Sequence, residues 1–331
     1  MLARPPSIEV DPYANDPGRW AHSLINLAEL VFGCLETARV RSVLEVGAYA
    51  GDLTRLLVDW VADRDGRVVA IDPHPEERLV ELAAERPELE LIRARSLEAL
   101  ERIPVPDAVI IDGDHNYFTV SEELRRIAAS APNGELPLLL FHDVAWPHGR
   151  RDAYFAPAEI PEEQRQPMVE GASLFPGIEG TRTGGLPYRF AAAREGGPRN
   201  GVLTAVEDFV SSRDDLHFAI VPAFFGLGVV WRREAPWADA LVELLRPWDR
   251  NPVLERLEAN RVLQLASAHF HMVHVSQLTG RNQRLEALLR RMLESSAFSL
   301  AERLSWLRRR AGIATGQAAI SKEAVRRALA D

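Results

Sequence analysis

The chain has 331 residues, 47% of them hydrophobic, and a formal net charge of −9. That is the composition of a globular protein with ample material for a core, and its acidic balance argues against a nucleic-acid partner. One cysteine, Cys34, excludes an internal disulfide framework; no apolar signal core opens the chain and no run is long enough to span a bilayer, so a cytoplasmic protein without a transmembrane segment is expected.

An amphipathic helix is predicted over 19–38, where Cys34 sits among Leu27, Leu30, Val31 and Leu35 as a packed core thiol. Strand 42–46 follows and ends in the turn Gly47-Ala48-Tyr49-Ala50-Gly51, with Glu45 two residues before the first glycine. Glycines here let the backbone and a helix N-terminus approach a ligand. A helix over 52–63 and a strand over 67–71 come next. Asp72 ends that strand, about 20 residues beyond the turn, where a carboxylate can take both hydroxyls of a ribose; its plainer role is to cap a helix. Helix 75–85 and strand 89–93 lead to Ser96, which is placed for an adenine edge and is equally an N-cap for helix 97–102.

Strand 107–111 runs into the densest polar constellation, Asp112-Gly113-Asp114-His115-Asn116-Tyr117. Ligands of open α/β sheets bind at such strand ends. Two carboxylates and an imidazole there point to a metal, an acid/base group, or both. Helix 117–131 and strand 138–141 follow, and that strand also turns polar, at His142-Asp143. Neighbouring parallel strands can bring both ends to one point. Asp112 and Asp143 suit a hard cation such as Mg²⁺, and His142 suits a softer metal.

The alternation breaks over 144–200, a stretch too long for a plain connection and therefore an expected lid or binding loop; the alternative is a disordered insertion. It resumes with a helix at 201–213 and strands at 216–221 and 226–232. The link between those two strands is too short for a crossover helix, so they should pair antiparallel. From 234 onward the chain reads as helical. Leu285, Leu288, Leu289, Met292 and Leu293 form a stripe that packs on its own domain or on a sister subunit, which makes a homodimer plausible. Arginines crowd 281–310. A solvated charged face is the plainer reading, and peripheral contact with an anionic membrane is the other. The expected organisation is an N-terminal cap region (1–40), a central α/β domain (41–235) with the insertion, and a helical C-terminal extension (236–331).

The pattern Glu45-x-Gly47-x-x-x-Gly51 resembles the first motif of class I S-adenosylmethionine (SAM) methyltransferases. Together with Ile71-Asp72, Ile111-Asp112-Gly113-Asp114-His115-x-Tyr117 and His142-Asp143, it is similar to the branch containing macrolide-sugar O-methyltransferases and cephalosporin-hydroxylase-like proteins. The resemblance implies a Rossmann-like, mostly parallel seven-stranded sheet with an antiparallel last strand. It implies SAM held by Glu45, Gly47, Tyr49, Gly51, Asp72, Ser96 and Asp112, with His115 as general base. It also implies Mg²⁺ on Asp112 and Asp143, with His142 standing where the branch has an acidic residue. The expected reaction is O-methylation of a sugar, glycan or natural-product hydroxyl. The alternatives are a metal-independent methyltransferase of a small phenol or carboxylate and a non-catalytic SAM-binding subunit. A nicotinamide oxidoreductase is disfavoured by the glycine spacing and the terminal hairpin.

Overall fold

A computed structural model describes residues 23–312 and 321–328. The first four residues of the expected 19–38 helix, and the N-terminal residues read for a leader, lie outside that range. The described chain enters through a short turn at Leu24–Leu27 into α1 (Ala28–Thr37), followed by β1 (Ser42–Val46), α2 (Asp52–Ala62) and β2 (Arg67–Ile71). Next come α3 (Glu77–Glu85), β3 (Leu89–Ile92), α4 (Ser96–Ala99), β4 (Ala108–Ile111), α5 (Tyr117–Ser130) and β5 (Leu138–Phe141). The insertion holds β6 (Met168–Leu174) and β7 (Leu186–Ala192). Beyond it lie α6 (Val202–Ser211), β8 (Leu216–Val221), β9 (Leu227–Arg232), α7 (Ala238–Leu245), α8 (Pro252–Glu294), α9 (Ser296–Arg310) and α10 (Lys322–Ala328).

Seven strands form one sheet in the order β3-β2-β1-β4-β5-β9-β8. The first five are parallel, whereas β9 runs antiparallel to both β5 and β8. The short link at 222–226 therefore makes the hairpin that its length demands. Strands β4 and β5 are buried along their whole length, as expected where helices cover both faces of a parallel sheet. Their side chains alternate between two cores. Val43, Ile110 and Leu140 face one side with Val31, Cys34, Leu57 and Leu241, while Leu44, Val109 and Leu139 face the other with Val120, Leu124 and Val206. Cys34 is fully buried, which pushes its thiol up to about 12 and makes it a packing residue.

The insertion is built around a buried polar hub. The Asp152 carboxylate accepts from the Tyr117 N–H (2.8 Å), the Gly201 N–H (2.6 Å) and the Tyr154 hydroxyl (2.8 Å). Its own N–H donates to Asn200 Oδ1 (2.7 Å), and Arg151, 1% exposed, donates to the carbonyls of Ala192 (2.7 Å) and Glu179. Together with the antiparallel pair β6–β7, these bonds satisfy backbone groups that a buried loop would otherwise leave orphaned.

The chain divides into two units, Met1–Ala268 and His269–Asp331. Leu241 and Leu245 of α7 belong to the first unit's core. In the second unit Lys322 reaches α9, its N–H donating to Glu302 Oε1 (3.1 Å) and its ammonium to Ser299 Oγ (2.6 Å). No helix among the described residues is long and apolar enough to cross a membrane.

Candidate active site

The turn after β1 is held open by backbone conformations that glycine permits. Gly47 has φ +88°, and a Cβ there would lie 2.1 Å from the Asp112 carbonyl oxygen, so this position admits no side chain. Gly51, with φ +78°, starts α2. Asp72, 7% exposed, locks the turn to the end of β2: one carboxylate oxygen accepts from the Tyr49 N–H (2.7 Å), the other from the His74 N–H (2.7 Å). Asp72 is not the cap of α3, because Glu76 stands at that helix's N-cap. Glu45 points into the protein and accepts from the Thr54 hydroxyl (2.6 Å). Burial, with neighbouring acids adding to it, raises its carboxyl to about 8. Ser96 is the first residue of α4 and sits beside buried Glu123, whose carboxyl burial also lifts to about 8.

The ends of β4 and β5 converge as their parallel pairing requires. His115 Nδ1 lies 3.1 Å from Asp143 Oδ2. Donor atoms of Asp112, His115 and Asp143 all lie within 4.8 Å of one another. His142 is arranged differently from the expected ligand. Its Nε2 lies 2.9 Å from the Phe224 carbonyl and its Nδ1 3.0 Å from Asp112 Oδ1. A carbonyl only accepts, so Nε2 carries a proton, and a lone pair on Nδ1 would face a carboxylate. The ring is therefore an imidazolium. Burial pulls it down, but the charges of Asp112 and Asp143 lift it to about 10. The set that could hold a cation thus takes His115 in place of His142, whose two nitrogens are already engaged. Asp143 itself adopts φ +59°, an uncommon conformation for an aspartate and one that gathers at functional sites.

The insertion walls this cluster into a cavity of about 220 Å³. Its Ala153 N–H donates to the His115 carbonyl (2.9 Å), fixing the loop that presents the imidazole. The buried His148 ring stacks on His115, with centroids 4.7 Å apart and planes 11° apart, and meets Tyr188 edge-on at 4.9 Å. Phe155, Phe190 and Phe225 complete an aromatic wall. Phe225 is set by α8, where the Glu258 carboxylate accepts from the Phe224 (3.0 Å) and Phe225 (2.8 Å) N–H groups while Arg261 grips it from the other side at 2.6 and 2.7 Å. Sequence reading gave His148, Tyr188 and Glu258 no role in the site. The first two lie in the aperiodic insertion, and Glu258 looks like any helical surface acid.

A seven-stranded sheet in this order, carrying a glycine turn after β1, an acid after β2 and polar clusters after β4 and β5, is the Rossmann-like arrangement of the class I methyltransferase fold. Residues 44–144 match the model of a family described as "Methyltransferase domain". Among solved structures the chain is similar to the SAH-bound methyltransferase PaMTH1 of Podospora anserina, at 13% identity over 67% of this chain and 84% of that one, with TM-score 0.40. It is also similar to the SAM-bound O-methyltransferase TomG of Streptomyces achromogenes, involved in tomaymycin synthesis, at 15% identity over 63% and 80%, TM-score 0.39. A third is a putative caffeoyl-CoA O-methyltransferase of Staphylococcus aureus, at 14% identity over 69% and 92%, TM-score 0.39. Among curated proteins none matches significantly.

Proposed function

We propose that this protein is a SAM-dependent O-methyltransferase acting on a hydroxyl of a sugar, glycan or natural-product acceptor, with His115 as general base. The branch of macrolide-sugar O-methyltransferases and cephalosporin-hydroxylase-like proteins remains the nearest reading of its motifs. The observation that carries the proposal is the His115–Asp143 pair at the floor of the cavity, beside the Asp112 that abuts the glycine turn.

SAM, when bound, supplies a methyl group already activated on a sulfonium, so the chain's task is alignment and proton removal. Gly47 and Gly51 keep the turn bare for it. Asp72 spends one lone pair per oxygen on backbone N–H groups and retains acceptor capacity for ribose hydroxyls. Ser96 stands for the adenine edge and Tyr49 beside the turn. Glu45 acts through the turn, since its carboxyl is taken by Thr54. Asp143 accepts the Nδ1 proton of His115, which leaves Nε2 as the basic nitrogen. The acceptor hydroxyl gives its proton to Nε2 as its oxygen forms the new C–O bond. Bound SAM would supply that methyl and keep the C–S electron pair on its sulfur.

A second reading rests on the donor cluster. Asp112, His115 and Asp143 fit a divalent cation that accepts an imidazole; Mg²⁺ prefers oxygen donors. Such an ion would orient acceptor oxygens, and it would take His115 away from proton transfer. In the first reading the His142 imidazolium balances the two carboxylates instead.

Labelled methyl from SAM should enter a glycan or glycoside fraction of host extract. His115→Ala should lower turnover by about 10²–10⁴-fold while SAM affinity stays unchanged by calorimetry. Unchanged turnover in His115→Ala removes the base assignment. Loss of transfer in EDTA, restored by a divalent metal, selects the cation reading.

A further inference from the structure

The second half of α8 carries a seam with no role in the site. Val275, Leu278, Asn282, Leu285, Leu289 and Met292 recur at alternating spacings of three and four residues, the a and d positions of a heptad. Val275, Leu278, Leu285 and Met292 are 59%, 44%, 46% and 45% exposed, and Asn282 is exposed with them. The register extends back to His271, giving a stripe about 33 Å long at about 1.5 Å per residue. A contiguous apolar stripe of this length on a helix marks an interaction surface.

We infer that this segment of α8 pairs with the same segment of a second copy of the chain as a parallel two-stranded coiled coil. Three features choose that occupant. Valine at an a position with leucines at d favours two strands, and a lone Asn at a sets register and oligomer state by hydrogen-bonding its counterpart. The flanking charges are self-complementary in the parallel arrangement alone: Arg281 occupies a g position and Glu286 the following e position, so each copy's arginine meets the other's glutamate across the seam. Gly280 falls at the outward f position, where it does not interrupt packing. Farther on, Arg303 and Arg308 flank Leu300, Leu304 and Leu307 of α9; they would repel their counterparts, which confines the pairing to α8.

Sedimentation equilibrium of the full chain should give twice the 36.9 kDa of one copy. Leu278→Glu combined with Leu285→Glu should weaken self-association at least about 100-fold, with the near-ultraviolet dichroism of the first unit unchanged. Leu285→Cys, at a d position, should form an interchain disulfide on mild oxidation, because only parallel, in-register helices bring d to d; Cys34 is buried and stays out of the reaction. Asn282→Leu should keep the association but admit larger oligomers. A single-chain mass at about 100 µM overturns the proposal. So does a dimer that survives the double glutamate variant, or one in which Leu285→Cys forms no interchain disulfide. A monomer that binds phosphatidylserine vesicles through the same stripe assigns the face to a membrane and overturns it too.

Discussion

Gly47 shows how closely the turn and the end of β4 are interlocked. Its backbone occupies the left-handed region and its missing side chain leaves room for the Asp112 carbonyl. Gly47→Ala should therefore cost more than the roughly 1–2 kcal/mol of a left-handed alanine, because the 2.1 Å approach forces β1 and β4 apart at the site. Thermal unfolding checks the stability loss, and SAM titration should show weakened binding; wild-type values in both would disprove the interlock. The polar residues at the strand ends were legible because each interrupts an apolar run. Which imidazole faces the cavity was not. His142 is turned inward by a carbonyl 82 residues away in the β8–β9 hairpin, and no local pattern encodes that bond.

At the scale of elements, apolar runs bounded by polar or glycine residues located every strand of the seven-stranded sheet to within one residue, but not β6 and β7 of the insertion, and the short link forced the antiparallel turn. The insertion was opaque because a single buried aspartate, through long-range bonds, gives it order rather than periodicity. The placement of α8 against the hairpin was equally unreadable, yet it has a consequence for the site. Phe224 and Phe225 both have positive φ (50° and 65°), and Glu258 takes their N–H groups while Arg261 lies 4.5 Å over the Phe225 ring. Removing the carboxylate takes this acceptor away from two backbone donors and a guanidinium. Glu258→Ala should destabilise the protein by about 3–5 kcal/mol and release the Phe224 carbonyl from His142. Turnover should then fall in the folded fraction, with SAM affinity nearly intact. Glu258→Gln, which keeps an acceptor, should recover part of it. Equal losses in both variants would reduce Glu258 to a charge partner of Arg261.

For the molecule as a whole, the shifted buried carboxyls and His142 share one direction. Burial raises the carboxyls of Glu45 and Glu123 to about 8 and that of Asp152 to about 6. It raises Asp114 and Glu195 as well, while the carboxylates around His142 lift that group to about 10. In each case the folded-state value lies above the unfolded one, near 4 for the acids and 6.5 for histidine. The native chain therefore holds protons that the unfolded chain releases, and the associated stability is complete below the unfolded values and lost as pH rises through the folded ones. Glu122 and Asp215, lowered by Arg125 and Arg213, act oppositely at acid pH, but they are partly exposed and screened. The melting temperature should fall most steeply between about pH 6 and 8, where Glu45, Glu123 and His142 keep protons that the unfolded chain releases, and more gently towards about pH 10 as His142 loses its proton. Glu45→Gln with Glu123→Gln removes two of the titrating groups and should flatten the decline between about pH 6 and 8 while sparing the gentler loss between about pH 8 and 10. A melting temperature that stays level or rises over the same range in the wild-type protein would show that these carboxyls reach water or partners that keep them ionised in the fold.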